Sequence, residues 1–219
     1  MIFFIAFLVL FLPITILLPT KVICKNKFPK KHSKQGYVVS ANHLSNFDVI
    51  LFDIKFGRKI YYMAKIELFK NKFFGWLLTK LGAIKLDRST NDIGAYKNAI
   101  KTLKNNKPLG VFPEGTRNKG DDQAEMLEAK GGAVVFASKA GVPIIPLAIY
   151  RRPKLFRRNK ILVGDPFYPQ GVNPKKLTKE EVEQNVKALT ETINGLHAQL
   201  VQTYGKAGKK ALKKVTAKV

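Results

Sequence analysis

The chain has a single cysteine, Cys24, in 219 residues. No disulfide can form within it, and a reducing compartment is the expected setting. No histidine or acid sits near Cys24 in sequence, so it reads as a small apolar side chain and not as a nucleophile. Histidine is almost as scarce. His32, His43 and His197 stand far apart, none with a ligand partner at zinc-site spacing, so no metal is expected. Acids are few as well: 15 Asp and Glu face 39 Lys and Arg, a formal net charge of +24. That imbalance predicts an anionic partner, whether nucleic acid, an anionic bilayer or a phosphorylated small molecule. The chain carries no nucleic-acid-binding motif, and its cations are spread along its length rather than gathered on one helix. Nucleic acid is therefore not expected as a partner.

Charge is missing altogether from residues 1–20, which are almost wholly apolar. As a helix this stretch would be about 30 Å long, the thickness of a bilayer's hydrocarbon core. It lacks the basic start and small-residue cleavage site of a signal peptide, so it is expected to stay as a membrane anchor. Pro13 would kink it, leaving open a single span or a bent segment lying in one leaflet; a buried core helix is the blander alternative. Lys21, Lys25, Lys27, Lys30, Lys31 and Lys34 follow directly. The positive-inside bias then puts the remainder on the cytoplasmic face of the cell membrane. At the far end, residues 205–219 hold six lysines and no acid. This basic tail suits a loose conformation or an anionic membrane surface.

Between these ends, residues 21–204 have the length and apolar content of one domain, since hydrophobic residues make up 46% of the chain. Strands are expected at 37–41, 60–64, 83–86, 109–112, 143–150 and 161–163. Helices are expected at 46–56, at 67–81 with an aromatic face of Phe69, Phe73 and Trp76, from an Asn91 or Asp92 cap to Leu103, and at 132–139. The last helix is the clearest: Thr178 and Glu181 form a capping box, and Val182, Val186, Leu189, Ile193, Leu196 and Leu200 make one apolar stripe. Alternating strands and helices without an internal repeat imply an α/β fold, a mixed and mostly buried sheet flanked by helices.

Three clusters carry chemistry. In Asn42-His43-Leu44-Ser45-Asn46-Phe47-Asp48, His43 follows a short apolar strand, and a Ser45 or Asn46 cap puts Asp48 in the next helix's first turn. A carboxylate reaching back to one imidazole nitrogen fixes the tautomer and leaves the other nitrogen to take a proton. The helix dipole alone would also favour Asp48 there, so the spacing is weak by itself. In Phe112-Pro113-Glu114-Gly115-Thr116-Arg117, Gly115 allows close backbone approach, Thr116 adds a hydroxyl and Arg117 a planar fork suited to phosphate. Glu114 could hold Arg117 or Arg88; an ordinary turn with a salt bridge fits as well. In Gly82-Ala83-Ile84-Lys85-Leu86-Asp87-Arg88 a strand exits into an acid–base pair, as do many strands lining α/β sites; an exposed ion pair explains Asp87 and Arg88 equally well.

In this order and spacing, the clusters resemble the glycerophospholipid acyltransferase family, and within it the lysophosphatidate acyltransferases. NHLSNFD is similar to the family's NHxxxxD block, GAIKLDR to its second block, FPEGTR to its third, and VPIIPL at 142–147 to its fourth. The likeness spans roughly residues 36–165. Departures lie at Asn118-Lys119-Gly120-Asp121-Asp122 and at Ala129 before Lys130, and bear on acceptor preference. The resemblance implies His43 as general base, Asp48 as its orienting partner, and Arg88, Glu114, Gly115, Thr116 and Arg117 as binders of the acceptor's phosphate. It further implies lysophosphatidate and an acyl thioester as substrates, with acyl-CoA or acyl carrier protein as donor and no cofactor. Glycerol 3-phosphate or another lysophospholipid is the alternative acceptor. A non-catalytic, membrane-tethered protein that binds anionic ligands is the alternative of a different class.

Overall fold

The computed structural model describes residues 12–24, 35–56, 58–87, 89–90, 92–120, 125–173 and 176–205. A short helix α1 (Leu12–Leu17) leads into strand β1 (Thr20–Cys24). Then come β2 (Val38–Ala41), α2 (Phe47–Phe56), β3 (Tyr61–Lys65), a 3-10 turn (Ile66–Phe69), α3 (Lys72–Lys80) and β4 (Ile84–Leu86). The second half runs α4 (Ile93–Lys104), β5 (Leu109–Val111), α5 (Gly132–Ala140), β6 (Ile144–Ile149), β7 (Asn159–Val163) and α6 (Lys179–Tyr204). Seven strands form one sheet in the order β1-β7-β6-β2-β5-β3-β4. It is mixed: β6, β2, β5, β3 and β4 are mutually parallel, while β7 runs antiparallel to β6 and carries β1 parallel beside it.

Strand alternation divides the core between two faces. Val38, Leu109 and Ile144 meet Ala95, Ala99 and Leu103 of α4, Val134 and Ala137 of α5, and Leu189 and Ile193 of α6. The next residues along, Val39 and Ile145, turn the other way to Phe52 and Phe56 of α2. Asp92 caps α4 by accepting from the Ala95 amide at 2.8 Å, and the Thr178–Glu181 capping box of α6 forms in full.

Three expectations need correction. No strand is expected ahead of residue 37, yet residues 20–24 form β1, in register with Asn159–Val163. The mixture of apolar and charged side chains in TKVIC concealed a strand that borrows its order from β7. The helix expected over 1–20 ends at Leu17, and Leu18 and Thr20 are buried against the fold. No helix among the described residues is long and apolar enough to cross a membrane; residues 1–11 lie outside them, as do 206–219 of the basic tail. Finally, the helix expected over 67–81 is two elements. Asn71 breaks it, accepting from the Phe74 amide at 2.9 Å as the cap of α3; Phe73 and Trp76 are exposed and Phe69 half-buried, with Gly75 the one buried residue of α3.

Candidate active site

The site lies at the edge where β2 and β5 end side by side. Beyond Ala41, the Asn42 side chain takes over the ladder: its Oδ1 accepts from the Ile149 amide at 2.8 Å and its Nδ2 donates to the Ile149 carbonyl at 3.1 Å. This clamps the chain to β6 as it leaves the sheet. His43 comes next, and both its backbone polar groups are held by the loop after β5. Its amide donates to Glu114 Oε1 at 2.7 Å, and its carbonyl accepts from the Asn118 amide at 2.8 Å. The ring stacks on Phe112 with centroids 3.9 Å apart and planes 17° from parallel.

The Ser45 hydroxyl accepts from the Phe47 amide at the start of α2, and Asp48 follows in the first turn, fully buried. Its Oδ2 lies 3.0 Å from His43 Nδ1 and also accepts from the Leu44 and Ser45 amides at 2.8 and 2.7 Å. An oxygen that already accepts from two amides is an acceptor for the ring as well, which assigns the proton to Nδ1 and leaves the Nε2 lone pair free of Asp48. The His43 side chain is 15% exposed, enough for a substrate hydroxyl to reach the ring.

Glu114 does not face Arg117 and does not stand at the surface. It is 3% exposed, and its second oxygen accepts from the Leu127 amide at 2.9 Å. Burial pushes its carboxyl above the ordinary range, opposed chiefly by the amide bonds from His43 and Leu127. Glu114 thereby ties the His43 loop to residues 125–130. Gly115 sits at φ 66°, the left-handed turn that only glycine adopts without strain, and sends Thr116 and Arg117 out as exposed side chains. Arg117 immediately precedes Asn118, whose amide reaches His43, so an exposed guanidinium stands on the loop that holds the imidazole.

The third cluster follows β4, which is parallel to β3 and so ends at the same edge of the sheet. Asp87 accepts from the Ser89 hydroxyl at 2.6 Å and the Ser89 amide at 2.9 Å, and these bonds hold its carboxyl below the usual range. Arg88 lies outside the described residues. Phe112, as the platform under the imidazole, and Asn42, as the clamp to β6, were missed from sequence. Asn42 at least stands next to the histidine; nothing local marks Phe112. Arg152, which donates to the carbonyls of Asn118 and Gly120, could not be placed without the fold. No group of three or more His, Cys, Asp or Glu among the described residues could hold a metal. Cys24 sits on β1, three strands from β2.

The sequence and the fold have counterparts. A family model described as Acyltransferase matches residues 20–150. The 1-acyl-sn-glycerol-3-phosphate acyltransferase of Bacillus subtilis is 33% identical over 189 residues, 83% of this chain and 90% of its own length. The enzyme of that name from Borreliella burgdorferi is 30% identical over 130 residues, 58% of this chain and 51% of its own length. The crystal structure of the 1-acyl-sn-glycerophosphate acyltransferase from Thermotoga maritima matches with a TM-score of 0.59 and 28% identity, over 83% of this chain and 73% of that one. The chain belongs to the acyltransferase family and is an O-acyltransferase.

Proposed function

We propose that the protein acylates the sn-2 hydroxyl of lysophosphatidate, using acyl-CoA or acyl-carrier-protein thioester as donor and giving phosphatidate. The observation that carries this reading is the 3.0 Å contact between His43 Nδ1 and buried Asp48, held beside a loop with exposed Thr116 and Arg117. The acceptor's phosphate docks on Arg117, Thr116 and Arg88 at the turn that Gly115 makes, which aims its free hydroxyl at His43 Nε2. As that oxygen attacks the thioester carbonyl, Nε2 takes its proton and Asp48 stabilises the imidazolium. The tetrahedral adduct then expels the thiolate, which takes the proton back from Nε2. No side chain is acylated, so no acyl-enzyme accumulates. A positioned base contributes about 10²–10⁴ in rate, and orientation by the phosphate clamp adds to it. Glu114 acts through the His43 backbone, not on the phosphate. The site works at the cytoplasmic face of the membrane, where the lipid acceptor resides and where a +24 charge meets anionic headgroups.

The test is a panel of acceptors with both donors, read by product mass. Lysophosphatidate should give phosphatidate as the main product. Acylation of glycerol 3-phosphate or of another lysophospholipid in its place would transfer the reading to that acceptor, and release of no thiol from any pair would favour a binding protein without catalysis.

A further inference from the structure

Because β2, β5 and β3 are parallel, residues 65–69 leave the sheet at the edge where His43 and residues 112–117 leave it. β6 is parallel to β2 and β7 returns antiparallel, so the β6–β7 connection stands at that edge too. Phe156 in this connection donates its amide to the Leu17 carbonyl at the end of α1. The large hydrophobic side chains exposed among the described residues are gathered at this edge, all but Tyr168 and Val172. Eight of them form two groups: Ile16, Leu155 and Phe156 near β1, and Ile66, Leu68, Phe73, Phe74 and Trp76 beyond β3; Phe47, Ile93 and Leu127 belong to neither. Strands β1 and β3 are five steps apart in the sheet order, about 24 Å at the usual strand spacing, and His43 emerges between them.

A helix of a water-soluble surface turns its aromatic residues inward, yet Phe73 is 71% exposed and Trp76 48%. Cations surround both groups: Lys65, Lys70 and Lys72 beside one, Arg151, Arg157 and Arg158 beside the other, with Glu67 the lone acid in 65–72 and none in 150–159. Apolar side chains ringed by Lys and Arg are the chemistry of an anionic bilayer interface. An exposed patch of this extent marks an interaction surface.

We propose that this edge docks on an anionic lipid bilayer through both groups, and that residues 66–76 form an internal contact entering the headgroup region independently of the N-terminal segment. The dyad then faces the lipid between two anchors, so that a lysophospholipid reaches His43 without leaving the interface. The proposal rests on the acyltransferase reading for its purpose, while its physical basis is separate.

Trp76 is the single tryptophan of the chain, so its fluorescence reports on this contact alone. With full-length protein and vesicles of phosphatidylglycerol and phosphatidylcholine, its emission should move to shorter wavelength. Lipids brominated on the acyl chain should quench it by roughly twofold or more. Emission unchanged while the protein floats with the vesicles would overturn the proposal, leaving the N-terminal segment as sole anchor. So would a Trp76 already shielded from iodide before vesicles are added, since residues 1–11 or a second copy would then cover the patch. A Leu68→Glu/Phe73→Glu variant should keep its rate on a short-chain lysophosphatidate dissolved as monomer and lose about tenfold on acceptor embedded in vesicles. Equal rates on the embedded acceptor would count against the contact. Absence of thiol release by the unaltered protein on every acceptor would defeat the acyltransferase reading and leave the Trp76 result standing.

Discussion

His43 is positioned by four interactions from two parts of the chain: the Asp48 carboxylate from one, and the Phe112 ring and backbone bonds to Glu114 and Asn118 from the other. Only the first is local in sequence, which is why His43 and Asp48 could be picked out from the NHLSNFD block while Glu114 was assigned to the phosphate. Its partners are amides 71 and 13 residues away, and a carboxylate's reach to distant backbone leaves no mark in sequence. Glu114→Gln tests the bracing role. A glutamine can accept from one amide, but its NH2 then faces the other, leaving a buried donor unpaired at about 1–3 kcal/mol. Thermal or denaturant unfolding should show a loss of that size, with kcat reduced and the KM for lysophosphatidate little changed; a selective rise in KM would return Glu114 to the phosphate. Asp48→Asn retains the shape and an acceptor oxygen but removes the charge opposite the imidazolium. Steady-state kinetics should show kcat falling on the order of 10²–10⁴ at near-constant KM.

At the scale of elements, legibility followed amphipathic period. α4 and α6, with polar caps and apolar stripes, were readable to within a residue or two, as were the near-continuous apolar runs of β2 and β6. β1 was not, because an edge strand's pairing with β7 is set by tertiary contact. The division at Asn71 was hidden by the aromatics on both sides of it. One carboxylate in α2 is set against its own charge. Asp53 accepts from the Ile60 amide at 2.9 Å, and burial raises its pKa from 3.8 to about 7, with that bond and Lys59 opposing. A raised folded-state pKa favours the protonated form, so the stability it confers is complete below pH 3.8 and is lost as pH rises through about 7. The residue still meets some solvent, so screening reduces the effect to about 1–2 kcal/mol. Chemical denaturation from pH 4 to 8 should therefore show the parent losing stability relative to Asp53→Asn, and parallel profiles would contradict the shift.

For the molecule as a whole, sheet order matters more than any one element. Parallel β2, β5 and β3 bring the dyad, the loop of Thr116 and Arg117 and the α3 segment to one edge, and the antiparallel return of β7 brings the N-terminal side there too. Composition calls for an anionic partner; which edge would meet it depends on strand order, which no local pattern encodes. Binding to anionic vesicles should weaken steeply between about 0.1 M and 1 M salt, as the screening length falls from about 10 Å to about 3 Å. Apolar insertion should leave a salt-resistant remainder, and co-flotation across that range measures both.

Rapid-mixing thiol release, with an acyl thioester and lysophosphatidate and with the thioester alone, compares the parent with His43→Ala most directly. General-base transfer predicts release only when the acceptor is present, no burst without it, and a loss on the order of 10²–10⁴ in the variant, whose lipid binding persists. A burst of thiol without acceptor, or an unchanged rate in His43→Ala, would contradict it.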